Sequence, residues 1–467
     1  MDAGVPVEKL RTYLRELNPE ARALLLNALE RNALQGTEIP GAELILQELR
    51  PSLREENSHA ARIGNPARAF FRPLEPFLVD SGSPRLVPGR VERSSLQPLW
   101  DWIGRDLLSD STAAYSRAVV EALLAGHERG VIRLARPLQD EAASAMAAWI
   151  TQAAHDDRLR RRLIGQIGTP RALEDLRTLQ RVLVHQDVLA QVSTRLPHSI
   201  KNLADEQLAQ VLGLLEYATT GKPELLVPVL LLLVDRLAAP WQLVRVAVKS
   251  ADSDVAARVA QAPYAVAVTM ALAELRCRIE ELRRFLKGGQ LADATALLKH
   301  THDAIRGLRT ELDFTGEISW SKELATSRAA ASELLHAEIE IVPGRVRRVL
   351  RPRATKEIEV GSELDPVEVA EVQGRIELVI ACRKYAGELA INQIAPRVHS
   401  ELQNYLDTGT AALLESLRTA GIGDRKFRQS QVDAAVRFAG TLFGPEYAGL
   451  LSKAAGMAAA DRKLQKA

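Results

Sequence analysis

The sequence predicts an all-α protein, a multi-helix array or bundle with little or no β-structure. Ala, Leu, Glu and Arg dominate the composition, whereas aromatic residues make up only 4% of the chain, and this mix favours helices over sheets. Apolar residues recur every three or four positions along most of the chain, which is the spacing of one helix face. Residues that start and stop helices separate these periodic segments.

The clearest periodic stretch, about residues 264–312, predicts a long helical hairpin. Its first half carries one apolar stripe at alternating steps of four and three, formed by Val268, Leu272, Leu275, Ile279, Leu282 and Leu286. Gly288 and Gly289 then end the helix, because glycine readily adopts the left-handed conformation found at helix ends. The pattern resumes through Leu291, Ala294, Leu298, Thr301, Ile305, Leu308 and Leu312. We expect the two stripes to pack against each other and against neighbouring helices.

The N-terminal region, residues 1–93, is expected to contain three helices followed by a proline-rich segment. The predicted helices lie near residues 7–17, 19–34 and 40–56. Asn18 is a favourable cap for the second of them, and Pro19 is a favourable first residue. Six prolines between Pro66 and Pro98 prevent a helix from persisting there. Apolar side chains inside this segment predict that it is ordered and packs against a core, namely Phe70, Phe71, Phe77 and Val79.

The central region, residues 94–342, reads as one helix after another and includes the hairpin. Besides the hairpin, helices are predicted near residues 111–125, 138–154, 170–196, 205–219, 223–239, 241–249, 254–261 and 321–341. Helix pairs joined by short turns suggest an elongated or solenoid-like array as one alternative. No residue pattern recurs at a fixed period, which weakens that alternative. Residues 225–234 are apolar on all sides, which predicts a helix buried between layers.

Residues 343–365 are interpreted as a linker that is first basic and then acidic. Pro343 and Gly344 are expected to end the preceding helix, and a small β-hairpin around them is a less favoured alternative. The C-terminal region, residues 366–467, is expected to be helical again. Its predicted helices begin near residues 366, 396, 424 and 445.

The linker carries the one local charge excess that could form an anion-binding patch. Its members are Arg345, Arg347, Arg348, Arg351, Arg353 and Lys356. Such a patch could hold phosphate groups of nucleic acid or lipid headgroups. The structural alternative is a solvated face paired with nearby acids such as Glu357 and Glu359. No aromatic residue is interleaved, which argues against stacking on nucleic-acid bases. A second basic run, Arg158–Arg162, is interpreted as a face paired with Asp156 and Asp157.

Tests for catalytic, metal and cofactor motifs all fail, so no catalytic residue, metal ligand or cofactor is predicted. Thr220-Gly221-Lys222 lacks the earlier glycine and the following Ser or Thr of a P-loop. His300 and His302 are two residues apart, so on a helix they point in different directions and cannot coordinate one metal ion together. Cys277 and Cys382 are interpreted as reduced, packed thiols. An active site assembled from dispersed residues stays open as an alternative.

Composition and charge narrow the functional classes. The 61 Lys and Arg nearly balance the 59 Asp and Glu, giving a net charge of +2, so no global field draws the chain to nucleic acid or membrane. The N-terminus lacks signal-peptide features and no apolar run spans a bilayer, so the protein is expected to be cytoplasmic. We hypothesise a non-catalytic scaffold or adaptor that binds an unidentified protein partner, with homo-oligomerisation left open. The alternatives are a peripheral or regulatory factor that docks on nucleic acid or membranes through the basic patch, and an α-helical enzyme.

Overall fold

The computed structural model describes residues 10, 13–14, 16–35, 37, 39–56, 64–80, 87–315 and 319–464. Over these residues the protein is all-α, as predicted. The exception is one parallel pair of two-residue strands, β1 (Leu78–Val79) and β2 (Val91–Glu92), in which Leu78 pairs with Val91. Within the described part of the chain, no helix is both long enough and apolar enough to cross a membrane.

The chain forms two compact units. Unit 1 comprises Met1–Ser83, Pro88–Ser199 and Ala209–Arg236, and unit 2 comprises Pro84–Val87, Ile200–Leu208 and Leu237–Ala467. The division of the sequence into four regions follows changes in composition and stays a prediction.

Unit 1 is built from helices that begin in sequence order at Pro19. They are α1 (Pro19–Leu34), α2 (Ala42–Glu56), α3 (Pro66–Phe71), α4 (Leu96–Trp102), α5 (Ser109–Leu124), α6 (Glu128–His155), α7 (Asp157–Ile167), α8 (Pro170–Val184), α9 (Gln186–Arg195), α10 (Asp205–Thr219, in this unit from Ala209) and α11 (Leu226–Val234). Short 3₁₀ segments (Arg72–Phe77, Arg93–Ser95 and Pro223–Leu225) and one π-helical turn (Ile103–Leu107) connect some of them.

The start of α1 follows the predicted capping rules. The side chain of Asn18 accepts a hydrogen bond of 2.7 Å from the backbone N–H of Ala21, and Pro19 occupies the first turn. The helix ends at Leu34, as the sequence predicts. The helix predicted near residues 7–17 falls largely outside the described residues. Leu14, Leu26, Leu29, Leu46 and Leu49 form a small apolar cluster that joins α1 to α2.

In its described residues, 66–80 and 87–98, the proline-rich segment packs apolar side chains into a core, as predicted, but it is more helical than expected. Phe70, Phe71 and Phe77 are at most 3% exposed. Pro66 begins α3 because Asn65 caps it, accepting a 2.8 Å hydrogen bond from the N–H of Arg68, and a proline in the first helical turn removes no helical hydrogen bond. The later prolines shift the chain into the 3₁₀ segment Arg72–Phe77.

Three helices predicted in this part of the chain have other bounds in the structure, and one of them, predicted over residues 223–239, ends at Val234. Helix α6 begins at Glu128 and passes through Pro137, although the prediction began at residue 138. Packing on α5, α7 and α8 outweighs the hydrogen bond that the proline removes. The helix predicted over residues 170–196 instead breaks at His185 (φ −112°, ψ 17°), whose imidazole lies 3.0 Å from the carboxylate of Glu224. The apolar run of α11 is buried, as predicted.

Unit 2 contains the predicted hairpin. Its helices are α12 (Val244–Ala251), α13 (Ala256–Val259), α14 (Val266–Lys287), α15 (Leu291–Glu311), α16 (Ser319–Glu340), α17 (Val342–Leu350), α18 (Pro366–Lys384), α19 (Ile394–Arg418), α20 (Arg425–Phe443) and α21 (Pro445–Leu464), with 3₁₀ turns at Pro240–Leu243 and Thr355–Glu357. Helices α14 and α15 pack against each other, and every residue of both predicted stripes is at most 7% exposed. Gly289 supplies the left-handed conformation between them, with φ +71°.

The start of the predicted linker is a helix. Residues 342–350 form α17, and Val342, Val346, Val349 and Leu350 are buried against α18, α19 and α20. The prediction that Pro343 ends the preceding helix is right only in part, because the same proline occupies the first turn of the next helix, where it is tolerated. The β-hairpin alternative for this stretch is excluded by α16 and α17.

Candidate functional site

The predicted basic patch lies on α17 and the loop after it, and half of its cations are ion-paired. Arg347 lies 2.5 Å from Glu401 of α19, Arg348 pairs with Glu368 of α18, and Arg351 lies 3.5 Å from Glu357. Glu357 is the partner expected from the sequence, whereas Glu401 and Glu368 lie 54 and 20 residues from their arginines, where no local pattern indicates them. These three pairs reduce the charge that the patch offers to an anionic partner.

The remaining patch cations differ in environment. The guanidinium of Arg353 lies 4.8 Å from the ring centre of Phe427, a cation–π contact. Arg345 is partly buried, Lys356 is exposed, and neither has an ion pair with any described residue. Arg345, Arg353 and Lys356 are therefore the patch cations that have no ion pair with a described residue.

The second basic run lies at the start of α7. Asp156 caps the helix by accepting hydrogen bonds from the N–H groups of Arg158 (2.7 Å) and Leu159 (3.2 Å), and Asp157 lies 2.9 Å from Arg160. Asp156 and Asp157 therefore begin the helix, with negative charge placed favourably near its N-terminus, and the expected pairing with the basic run is seen for Arg160 and Asp157.

Of the two histidines considered in the sequence, His300 is exposed and His302 is partly buried. His302 contacts Asp303 and lies with its ring centre 4.8 Å from that of Tyr385. Burial raises the pKa of Cys382 to about 12, which suppresses its thiolate, and Cys277 is half-buried. Over the described part of the chain, no group of three or more His, Cys, Asp or Glu residues is arranged to hold a metal ion.

A buried carboxylate in unit 1, Asp175, also has a structural environment. It is 1% exposed and accepts hydrogen bonds from the Ser95 hydroxyl (2.6 Å) and the N–H of Glu92 (3.2 Å), with Arg171 at 3.1 Å. Desolvation by burial raises its pKa, although these three partners oppose the shift. The carboxylate ties β2 and the 3₁₀ segment Arg93–Ser95 to α8. Because it has no access to solvent, it does not offer a site for a substrate.

A cavity of about 480 Å³ in unit 1 is the strongest candidate site. It lies between one face of α6, the helix α9 and the segment that joins α3 to β1. Helices α8 and α11 each contribute one lining residue, Val182 and Leu232. Its lining consists of Ala69, Arg72, Pro73, Pro76, Phe77, Ile132, Arg133, Ala135, Arg136, Gln139, Val182, Gln186, Asp187, Leu189, Ala190, Ser193 and Leu232. This volume is in the range of cavities that bind ligands in other proteins.

The inner wall of the cavity is apolar and rigidly held. Phe77, Val182, Leu189 and Leu232 are between 1% and 5% exposed. Gln139, beside them, is 4% exposed and donates a 2.7 Å hydrogen bond to the carbonyl of Phe70. This bond fixes the proline-rich segment against α6 and so shapes one side of the cavity.

The outer part of the cavity is cationic. Arg136 donates hydrogen bonds of 2.7 and 2.9 Å to the two carboxylate oxygens of Asp187 and one of 3.0 Å to Asp140. The hydrogen bond from Arg136 lowers the pKa of Asp187, which therefore stays ionised at neutral pH. Arg72 and Arg133 have no ion pair with any described residue. Three arginines and one aspartate thus give the lining a net charge of +2.

A second depression, of about 850 Å³, runs along α16 in unit 2 and is a weaker candidate. It is lined mainly by one face of a single helix, including Ala325, Ala329, Ser332 and Ala337, with Ala390 from the loop after α18. The lining also includes Arg328, Glu333, His336 and Glu340. Arg328 donates a hydrogen bond to the carbonyl of Glu388, and His336 lies 3.6 Å from Glu340, so these three groups are engaged with near neighbours and do not define what would bind there.

None of the residues that line the unit 1 cavity is among the functional residues predicted from the sequence. The signal was present on α6, where Ile132, Arg133 and Arg136 share one helix face. It was missed because Pro137 placed these residues before the predicted start of the helix. The partners on α9 and α11 are 50 to 100 residues away in the chain, and no local pattern reveals that they meet.

Comparison with known proteins gives no relative: no family model, no curated protein and no solved structure matches this chain.

Proposed function

We propose that this protein is a non-catalytic helical scaffold that binds a segment of a partner protein in the unit 1 cavity. The observation that carries this proposal is an apolar cavity that remains open at the protein surface. Ile132 is 42% exposed although it lines the cavity, and Pro76 and Ala190 are also exposed there. Apolar surface concentrated in a cleft is a feature of binding sites, because covering it releases ordered water and stabilises the complex.

The chemistry of the lining favours binding over catalysis. Its ionisable groups are three arginines, which are permanent cations, and Asp187, whose pKa is lowered. A carboxylate with a lowered pKa is a weak base at neutral pH and does not supply general acid–base catalysis. Ser193 is contacted by Arg236 at 3.4 Å, and no histidine or cysteine is among the described residues that line the cavity. The lining therefore supplies contacts and charge, which is what a docking site requires.

The other two hypotheses have less support. Docking on nucleic acid or lipid headgroups through Arg345–Arg353 is weakened by the ion pairs of Arg347, Arg348 and Arg351. An enzyme with dispersed residues would need a polar cavity with several ionisable groups of shifted pKa, and the unit 1 cavity is mostly apolar.

Site-specific photo-crosslinking tests the proposal. A photoreactive amino acid is placed at Ile132 in the cavity and, as a matched control, at Ile422, which is 90% exposed in unit 2. Both full-length proteins are irradiated in an extract of cells that produce the protein. We expect a discrete protein adduct from position 132 that position 422 does not give, and we expect Leu232→Arg, which fills the cavity, to abolish it. The same adducts at both positions, or none at position 132, would refute the proposal.

A further inference from the structure

We infer that the cavity of unit 1 takes an acidic segment with an apolar anchor residue, supplied by the partner protein. This inference rests on the proposed function and names the chemistry of the segment. It follows from three features of the cavity: its uncompensated arginines, its apolar inner wall and its open side.

The charge of the cavity selects against cationic segments and for acidic ones. Arg72 and Arg133 line the cavity without an ion pair to any described residue. They come from different elements, Arg133 from α6 and Arg72 from the 3₁₀ segment Arg72–Phe77. A bound segment can therefore meet cations from two different elements of the lining. Carboxylates that flank the anchor residue would pair with these guanidinium groups, which bind carboxylates through two parallel hydrogen bonds.

The apolar inner wall requires an apolar anchor. The side chains of Phe77, Leu189 and Leu232 lie in the inner wall and are held by the surrounding helices. A polar or charged side chain placed against this wall would lose its hydration without gaining hydrogen bonds, which is unfavourable. A leucine, isoleucine or phenylalanine side chain would bury its surface there, as the central anchor residues of protein interfaces do.

The open side of the cavity favours a polypeptide segment over a small molecule. Sites for small ligands usually enclose most of the ligand surface. Here Ile132, Pro76 and Ala190 line the cavity and are still exposed to solvent. A segment can insert one side chain through this opening while its backbone continues along the surface on both sides.

Binding of synthetic peptides to the purified full-length protein tests the inference. Three fluorescent peptides of equal length are compared by fluorescence anisotropy. The first carries Glu and Asp around a central Leu, the second has Ser in place of that Leu, and the third has Lys in place of the acids. We expect measurable binding of the first peptide only, and weaker binding as salt is raised, because charge pairing at the surface is screened.

Charge-reversed variants locate the binding. We expect Arg72→Glu combined with Arg133→Glu to weaken binding of the acidic, Leu-containing peptide by at least about tenfold, whereas Arg158→Glu has no effect. Arg158 is a matched control because it is an exposed arginine of unit 1, on α7, that does not line the cavity. Thermal unfolding checks that each variant is folded. If the double reversal unfolds the protein, Arg72→Gln with Arg133→Gln is expected to weaken binding in the same direction.

The outcomes separate this inference from the proposed function. Tighter binding of the Lys peptide, or equal binding of the Ser and Leu peptides, would overturn the inferred chemistry while an adduct at position 132 still supports the scaffold. Decanoate is tested by its ability to displace the acidic peptide. If decanoate binds more tightly than that peptide, the cavity is assigned to a small amphipathic acid and the inference is overturned. If no peptide binds but position 132 still gives an adduct, the inference of an acidic segment is refuted and the scaffold proposal is not.

Discussion

Arg136 and Asp187 join α6 to α9 through two parallel hydrogen bonds of 2.7 and 2.9 Å at the cavity of unit 1. Helix α6 packs mainly on α5, α7 and α8, whereas α9 packs on α8 and α11. The ion pair therefore links two helices that both pack on α8 but do not pack extensively on each other. A carboxylate of a bound segment would compete with Asp187 for the same guanidinium group.

Asp187→Asn is expected to strengthen binding of the acidic, Leu-containing peptide by a few-fold. The substitution removes the competing carboxylate and leaves Nη1 and Nη2 of Arg136 available to the ligand, while Nε stays bonded to Asp140. The free energy of unfolding should change by less than about 1 kcal/mol, because the Asp187 side chain is 72% exposed and exposed ion pairs stabilise weakly. Glu174→Gln, which breaks an exposed pair with Arg177 on α8, is the control and should leave peptide affinity unchanged. Weaker binding by Asp187→Asn would argue against competition.

Gly307→Ala is expected to destabilise unit 2 by about 1–3 kcal/mol, the usual effect of overpacking. A methyl group at Gly307 would lie 2.4 Å from the Trp241 ring, so α15 or the indole would have to move. Gly213→Ala on α10 is the matched control, since nothing lies within 4 Å of its added methyl group and alanine stabilises a helix interior by up to about 1 kcal/mol. Chemical denaturation of both variants measures the difference. Equal effects of the two substitutions would contradict the described packing.

Stability is expected to fall as the pH falls from 7.5 to 5.5, and His399 should account for part of this loss. Desolvation and, next, the charge of Arg383 lower the pKa of His399 below its ordinary value of 6.5. The side chain is 4% exposed, and Nη1 of Arg383 lies 3.1 Å from its Nε2, an arrangement that requires a neutral imidazole.

The direction of this effect follows from proton linkage. Because the imidazole is held neutral in the fold, the unfolded chain takes up the proton first, and the free energy of unfolding decreases as the pH falls below about 6.5. Denaturation of the wild type and of His399→Gln at both pH values measures this contribution. We expect a smaller loss in the variant, and an equal loss would show that His399 is not involved.

Cys382 is expected to resist thiol reagents until the protein unfolds. It is fully buried, and its pKa is raised from 9.0 to about 12, which lowers its thiolate fraction about a thousandfold at neutral pH. The variant Cys277→Ala leaves Cys382 as the single thiol. Its labelling should be negligible in the native state and complete in denaturant. Rapid native labelling would show that α18 opens locally.

The sequence predicts the helices best where a single stripe of apolar residues is buried. The stripe that includes Leu275 and Ile279 predicts α14 because one periodic face decides both helix formation and packing. Some helix boundaries are predicted wrongly at prolines, because the effect of a proline depends on its position in the helix and on tertiary packing. Pro343 both follows one helix and begins the next, and Pro137 is tolerated inside α6 because tertiary packing outweighs its missing hydrogen bond.

The candidate site was less predictable than the fold because it is assembled by contacts between distant residues. Arg136 and Asp187 are 51 residues apart, and Leu232 is farther still along the chain. The basic patch shows the same difficulty for the partners of its arginines. Its arginines are obvious in the sequence, but the pairing of Arg347 with Glu401 depends on how α17 packs against α19.

Methyl NMR of the full-length protein during titration with the acidic, Leu-containing peptide tests the central claim most directly. We predict that methyl signals of Ile132, Val182, Leu189 and Leu232 shift together with one dissociation constant, since all four residues line the cavity. Methyl signals of the hairpin, such as those of Leu298 and Ile305, should stay unchanged. Shifts confined to the hairpin or to α17, or no shifts at the cavity under saturating peptide, would contradict the account.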